Sequence, residues 1–323
     1  MRWLLIVMLG TMGFAPFTYR PDRDGAEANV GITVVDIDGN PVADASARFK
    51  FYTTFDDYYF IESKTDEAGR AVAKGKTRGE VVVGVEKDGF YFTTQDLEYR
   101  KISWEEAVSS RKWSKEVVEN KVILKPIVSP IRMPLYSVDF KKPPRDDEPV
   151  PYDFLAKDWC APYGKGKIND IDVEFYRAAT TNRIAYVGMR LNFSNCVDGL
   201  YERSVDEWCD FRYQHVADTN SIYHKSVEVG RLPNHVPDAL FRTGHGDKRY
   251  YVVRFRTVTN EVGHVVSARY GLISEGLDCM GGLNISVEVN PNENDTNLES
   301  DWAVRNMSRE KRLRKQRKAN NAK

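Results

Sequence analysis

The sequence predicts an all-β fold of two β-sandwich modules joined by a proline-rich linker, with a signal-like N-terminus and a basic, helical or disordered tail. Three observations predict it. Apolar and polar residues alternate with a period of two over most of the chain, as in strands with one buried face. Turn signals rich in Gly, Asn and Asp separate these runs at short intervals. Seven of the fourteen prolines lie between Pro126 and Pro151, where neither a central strand nor a helix fits.

The composition sets the broad class of the protein. At 41% hydrophobic and 29% charged residues, the 323-residue chain can bury a sizeable core, and its 47 basic residues balance its 47 acidic ones. These values exclude collagen-like, wholly disordered and polytopic membrane proteins. Because a typical domain has about 150 residues, the length of the chain predicts two domains.

The N-terminal segment resembles an export signal in its composition. One Arg precedes the apolar run of MRWLLIVMLGTMGFA, which is too short to cross a bilayer and suits the hydrophobic part of a secretory signal. We therefore expect residues 1–26 to be a signal peptide or anchor and the protein to be secreted or periplasmic. An uncleaved anchor or a buried first strand is the alternative.

The first module begins with two strands around a tight turn. Residues 31–49 alternate apolar and polar side chains on both sides of Asp38-Gly39-Asn40, and residues 65–71 supply a second Gly-centred turn. Residues 80–92 form a β-branched strand that ends at the turn Asp88-Gly89. The charged segment 104–119 looks helical, and residues 121–127 are expected to close the sandwich.

This succession of D-x-D-G-N-P-V, T-D-E-A-G and a valine strand ending in K-D-G-F resembles the carboxypeptidase regulatory-like domain, a transthyretin-type β-sandwich. The resemblance covers about residues 29–127. It implies that residues 27–128 are an accessory, non-catalytic module, of a kind common in secreted and envelope proteins.

The linker, residues 129–151, is expected to be extended and semi-rigid, with part of it packed along a neighbour. Beyond it, residues 152–298 form the predicted second antiparallel β-rich domain. Residues 171–178 with 183–193, and 250–258 with 264–273, are expected to be hairpins, and 283–289 a further strand. Only short segments such as Ser204 to Gln214 could be helical. This half resembles uncharacterised bacterial secreted proteins in which an Ig-like or carboxypeptidase regulatory-like domain precedes a β-rich one, a likeness that implies no known activity.

Four cysteines lie in the second half of the chain. An even number in an exported protein fits two disulfides, and Cys196 with Cys209 is the pair to test first. Free buried thiols are the alternative, because Cys packs as a small hydrophobe. The four candidates are Cys160, Cys196, Cys209 and Cys279.

One loop is a candidate binding site. Its aromatic, glycine-rich and basic composition could offer backbone N–H groups and two ammonium groups to an anion or a sugar acid. A tight turn ahead of a strand is the simpler interpretation, because the loop lacks the spacing and context of a P-loop. The candidate residues are Trp159, Tyr163, Lys165 and Lys167.

The histidines predict no metal site, and nothing in the sequence indicates a cofactor. The five, at positions 215, 224, 235, 245 and 264, include no H-E-x-x-H and no pair four residues apart. His245 is the only histidine next to a carboxylate, Asp247, in an expected flexible loop, as a general base would need. A turn before a hairpin is the alternative interpretation of this segment. It is the simpler one, because no Ser or Cys nucleophile motif accompanies His245, as a hydrolase of this type would need.

The tail, residues 299–323, has eight basic residues and one acid between Arg309 and Lys323. Such a segment stays solvated and attracts anions, yet no fold for sequence-specific nucleic-acid recognition accompanies it. The sequence therefore predicts a non-catalytic binding or structural module of the cell envelope, with an anionic envelope polymer or carbohydrate as partner and no transmembrane span. The alternative is an envelope hydrolase with a non-catalytic accessory domain.

Overall fold

The structure is a computed structural model that describes residues 19–54, 56–99, 104–114, 116–145, 148–180, 183–204, 208–230, 249–273, 277, 279 and 281–306. The chain divides into two compact units, of which the first comprises Met1–Lys87 and Thr94–Ile123 and the second Asp88–Thr93 and Leu124–Lys323. Both are built almost wholly of strands, so the predicted all-β sandwich fold is confirmed.

The first unit packs two sheets face to face. Its elements are α1 (Pro21–Asp24), β1 (Ala26–Val35), β2 (Ser46–Tyr52), β3 (Tyr58–Lys64), β4 (Arg70–Thr77), β5 (Glu80–Glu86), β6 (Thr93–Glu98), α2 (Trp104–Ser110) and β7 (Val118–Ile123). One sheet has the order β4-β1-β7 and the other contains β6-β5-β2-β3. Strand β7 closes the first sheet by pairing parallel to β1.

The core of this unit follows from the period-two pattern. In β2, Ala47, Phe49 and Phe51 are fully buried, and β5 buries Val81, Val83 and Val85. Because alternate side chains of a strand point to opposite faces, the intervening residues form the outer surface of the sheet.

The turns are formed by the residues that predicted them. Gly39 has φ +86°, and Asp36 Oδ1 accepts hydrogen bonds from the amides of Asp38 (2.9 Å) and Asn40 (2.8 Å). Gly69 has φ +73°, and a Cβ there would collide with the Val34 carbonyl, so the second turn requires glycine. The helix expected over 104–119 is shorter than predicted, since only α2 forms and β7 begins at Val118.

The second unit is also a sandwich of two sheets. Its strands are β8 (Leu135–Lys141), β9 (Val150–Asp153), β10 (Asp158–Trp159), β11 (Ile171–Thr180), β12 (Arg183–Phe193), β13 (Gly199–Ser204), β14 (Trp208–Cys209), β15 (Ser226–Gly230), β16 (Arg249–Thr259), β17 (Val265–Ile273) and β18 (Leu283–Val289). The sheets have the orders β10-β9-β11-β12-β15 and β13-β16-β17-β18-β8. Their facing sides form one core, which includes Val173, Phe193, Phe255 and Ile285.

The predicted hairpins are present as β11 with β12 and β16 with β17, and residues 283–289 form β18. The proline-rich segment contributes β8 at the edge of a sheet, where β8 pairs with β18, so part of residues 129–151 packs along a neighbour. In Ser204 to Gln214, Trp208–Cys209 form β14, and none of the described residues is helical, although the sequence allowed a short helix there. Within the part of the chain that the structure describes, no helix is both long and apolar enough to span a membrane.

Candidate functional site

The outer face of β2 and β3 in the first unit carries three aromatic rings around two cations. Tyr58 and Phe60 are 49% and 46% exposed, and their ring centroids are 5.3 Å apart. The strand register places Tyr52 opposite Tyr58 and Lys50 opposite Phe60. We call Arg48, Lys50, Tyr52, Tyr58 and Phe60 the aromatic–cation face.

Cation–π contacts hold this face together. The Lys50 ammonium lies 4.2 Å from the centroid of the Tyr52 ring and 3.9 Å from that of Tyr58, and it donates a hydrogen bond to the Tyr52 hydroxyl. The Arg48 guanidinium lies 5.1 Å from the centroid of the Phe60 ring. Such contacts contribute about 0.5–1 kcal/mol each at exposed positions, so they fix the side chains without removing them from solvent.

The charges on the face are unequally compensated. Arg48 forms a salt bridge with Glu62, at 2.7 Å, on the neighbouring strand. Among the described residues, Lys50 has no carboxylate partner, so it keeps a positive charge available between two rings. The face therefore combines apolar area with an uncompensated cation.

Sequence reasoning missed this face. The signal was present in residues 58–60, because Tyr58 and Phe60 are two positions apart and must share one side of a strand. What the sequence does not show is that this side faces solvent and that β3 lies at the edge of its sheet.

The loop predicted as a binding site is folded around its own carboxylates. The Asp158 Oδ2 atom accepts the Lys165 amide at 2.9 Å, and Asp153 Oδ2 accepts the amides of Lys167 (3.0 Å) and Ile168 (3.1 Å). These three N–H groups of the loop are thus already paired, so a ligand would meet the exposed Lys165 and Lys167 side chains instead.

The aromatic residues of the loop serve the core. Trp159 is 4% exposed, and its indole Nε1 donates to the Lys142 carbonyl at 3.0 Å. Tyr163 is half-buried and packs against the core of the second unit, with the Arg145 guanidinium 5.4 Å from its ring centroid. Gly166 lies so close to its neighbours that a Cβ there would be 2.8 Å from the Asp158 carbonyl oxygen, which explains the glycine by packing.

A buried ion cluster lies beneath this loop. The Arg256 Nε donates to Asp170 Oδ1 at 2.8 Å, and its Nη2 donates to Asp153 Oδ1, also at 2.8 Å. Burial raises the pKa of Asp170 although Arg256 opposes the shift. Burial would also raise the pKa of Asp153, but the amide hydrogen bonds it accepts, from Lys167 among others, outweigh burial and lower it. With its oxygens and guanidinium occupied by one another, the cluster is structural.

The structure contains no disulfide among the four cysteines, so Cys196 with Cys209 stays a pair to be tested by experiment. Cys160, Cys209 and Cys279 are buried, and Cys196 is exposed. Burial, followed by the charges of nearby aspartates, raises the pKa of Cys160 to about 11, which makes this thiol a poor nucleophile.

The histidine–carboxylate pair proposed for the hydrolase alternative, His245 and Asp247, lies outside the described residues. Of the other histidines, His215 packs in the second unit, where its Nε2 lies 2.9 Å from the Pro126 carbonyl oxygen and 3.7 Å from Glu299 Oε1. The described residues contain no group of three or more His, Cys, Asp or Glu side chains arranged to hold a metal ion.

Comparison with known proteins gives no family. No family model matches the sequence, and no curated protein matches it. Among solved structures, 3-chlorocatechol 1,2-dioxygenase from Rhodococcus opacus is 16% identical over 33% of this chain and 62% of its own, with a TM-score of 0.24. Catechol 1,2-dioxygenase from Pseudomonas arvilla is 14% identical over 33% of this chain and 54% of its own, also with a TM-score of 0.24.

A DUF3823 family protein from Parabacteroides merdae aligns with 82% of this chain and 99% of its own, at 9% identity and a TM-score of 0.22. The chain spans only 54% to 62% of the dioxygenase chains it matches. Because all these TM-scores are below 0.5, the likenesses establish neither a family nor an activity.

Proposed function

We propose that this protein is an exported, non-catalytic binding protein whose ligand is an acidic polysaccharide of the cell envelope. The observation that carries the proposal is the aromatic–cation face, where Tyr58 and Phe60 are about half exposed around the uncompensated Lys50. Aromatic rings on the outer surface of a sheet add no buried area to the hydrophobic core of the domain. Their exposed faces are therefore available to a ligand.

The chemistry of the face suits a polymer of sugar acids. Aromatic rings pack against the apolar surfaces of a ligand while their edges and hydroxyls remain hydrated. The Lys50 ammonium supplies the charge that a carboxylate of the polymer would pair with. A surface rather than a cavity is also what a long polymer requires, because successive units must leave the site on both sides.

Export supports the same proposal through the sequence. The N-terminal segment has the composition of a secretory signal, and envelope polysaccharides are met outside the cytoplasm. The basic tail would add a second, sequence-independent attraction for the same polyanion. The apolar run of the signal-like segment and the basic residues from Arg309 onward lie outside the described residues, so the proposal depends on the aromatic–cation face.

The test is titration calorimetry of the full chain with polygalacturonate, and with dextran as a neutral polymer. We expect polygalacturonate to bind, with an affinity that falls as salt rises, and dextran to bind far more weakly. The double variant Tyr58→Ser/Phe60→Ser should weaken binding by about tenfold or more, because the packing of both rings on the sugar is lost.

The matched control is Phe140→Ser/Trp302→Ser. It removes two aromatic residues that are 66% and 59% exposed in the second unit, and its binding should equal that of the wild type. Equal binding of the two polymers, or equal losses in the two double variants, would refute the proposal.

A further inference from the structure

A cavity of about 670 Å³ opens on the outer face of the β4-β1-β7 sheet. It is lined by the segment from Tyr19 to Glu27, by β4 at Lys74 to Lys76, and by Arg111 beyond α2. Because α1 (Pro21–Asp24) and the start of β1 at Ala26 are folded parts of this lining, the cavity requires an export signal that ends before Tyr19 or an uncleaved anchor. Antiparallel pairing places Glu27 opposite Lys76, and the Glu27 amide donates to the Arg111 carbonyl at 3.1 Å. Backbone hydrogen bonds therefore fix the relative positions of these lining segments.

The cavity has more positive than negative charge. Of its four cations, Arg23 is paired with Asp24 at 2.9 Å and Lys74 with Glu27 at 3.0 Å. Lys76 and Arg111 form no ion pair with a carboxylate of the described residues, and Arg111 instead lies 5.2 Å from the centroid of the Tyr19 ring. Among the described lining residues, positive charges thus exceed negative ones by two.

At neutral pH the carboxylates of the cavity do not cancel its excess of positive charge. The hydrogen bond from Arg23, then that from the Arg20 amide, lowers the pKa of Asp24 to about 2, so Asp24 is ionised and occupied. A ligand that neutralises the cavity must therefore bring about two negative charges of its own.

The cavity is open to solvent, and its volume indicates how large a ligand it can admit. Small-molecule sites commonly measure about 300–1,000 Å³, and a cavity of about 670 Å³ holds a ligand larger than a bare oxyanion. The Tyr19 ring supplies apolar area next to Arg111, which suits a ligand with a charged end and a sugar-like body.

We propose that this cavity binds a phosphorylated monosaccharide, with Lys76 and Arg111 contacting the phosphate dianion. Arg111 offers paired N–H donors to two phosphate oxygens, and Lys76 offers a point charge to the third. The sugar occupies the remaining volume beside Tyr19. This site is separate from the aromatic–cation face, which lies on the outer side of the other sheet.

The test is titration calorimetry of the full chain with glucose 6-phosphate, inorganic phosphate, glucuronate and glucose. We expect glucose 6-phosphate to bind most tightly, because it alone combines two charges with a sugar body. Lys76→Ala and Arg111→Ala should each weaken its binding by about tenfold or more. Lys76→Arg keeps the charge and should restore most of the affinity.

The control variant is Lys121→Ala. It removes an exposed cation from β7 of the same sheet, outside the cavity, and should bind glucose 6-phosphate as the wild type does. The proposal fails if glucose 6-phosphate does not bind, or if glucose or inorganic phosphate binds as tightly. It also fails if Lys121→Ala weakens binding as much as Lys76→Ala. Thermal melting of each variant separates lost binding from lost folding.

Discussion

The hydroxyl of Tyr91 donates a hydrogen bond of 2.7 Å to Glu299 Oε1, across 208 residues of sequence. Glu299 is 1% exposed and also accepts the amides of Val128 (3.0 Å) and Ser129 (2.5 Å). One buried carboxylate thus joins three separate segments of the second unit. Because a buried charge is tolerated only when it is hydrogen-bonded, each donor contributes to the stability of this junction.

Tyr91→Phe should destabilise the second unit by about 1.5–3 kcal/mol, the range for hydrogen bonds to charged groups. The ring stays in place, and only the donor to Glu299 is lost. Hydrogen–deuterium exchange at residues 127–129 measures the loss locally, because the two units need not unfold in one transition. The control is Tyr136→Phe, whose hydroxyl makes no hydrogen bond within the described residues, and which should leave exchange unchanged. Equal exchange in both variants would contradict the role of Glu299.

Much of the fold could be predicted because the determinants are local. The turn at Asn260 to Gly263 is an example, since Asn260 Oδ1 accepts the amides of Val262 (3.2 Å) and His264 (2.9 Å) within four residues. The sequence allowed a short helix at Ser204 to Gln214, but none of the described residues there is helical. Cys209 and Phe211 instead join a buried cluster with Tyr91 and Ala303 that no local pattern reveals. Tertiary packing there overrides helical propensity.

The geometry of the candidate sites depends on contacts between residues that are far apart in the sequence. Such contacts could not be predicted from the sequence alone. Lys165 and Lys167 lie on the surface as expected, but their amides are paired with carboxylates 7 and 14 positions earlier in the chain. The partner of Asp153 and Asp170 is Arg256, about 100 residues away, at φ +54° on β16. The packing of the two sheets of the second unit, not the spacing in the sequence, determines which charged side chains form ion pairs.

Arg256→Ala should destabilise the second unit by about 3–5 kcal/mol, because it leaves Asp153 and Asp170 buried without their counter-charge. Without the guanidinium, both carboxyl groups bind protons more readily, so the deficit should shrink as the pH falls from 7 to 5. Urea denaturation at both pH values measures it. The control is Arg269→Ala, which breaks the more exposed pair with Glu293 and should change stability by about 0–1 kcal/mol. A deficit that grows on acidification would rule out this account.

The native protein should present one reactive thiol. Cys196 is exposed, whereas Cys160, Cys209 and Cys279 are buried, and burial raises the pKa of both Cys160 and Cys209. At pH 8 a thiol reagent should therefore label one site quickly, and Cys196→Ser should abolish that fast phase. After unfolding without reductant, four thiols should react. Only two reactive thiols in the unfolded chain would instead reveal a disulfide.

Asp153→Asn should destabilise the second unit most at neutral pH. The native pKa of Asp153 is lowered, because the amide hydrogen bonds it accepts outweigh the opposing effect of burial. Its carboxylate therefore contributes stability above its unfolded pKa of about 3.9, and this contribution is lost as the pH falls through the lower native value.

The free-energy difference between the wild type and Asp153→Asn should accordingly be constant from pH 7 to 5 and decline below about pH 4. Amide exchange at residues 155–168 reports it directly, because Asp153 holds the amides of Ala156 (2.9 Å) and Lys167 (3.0 Å). The control, Asp139→Asn, changes an exposed carboxyl on β8 and should show no such decline. A difference that increases toward low pH would mean that the amides stabilise the protonated form of Asp153, contrary to their geometry as donors.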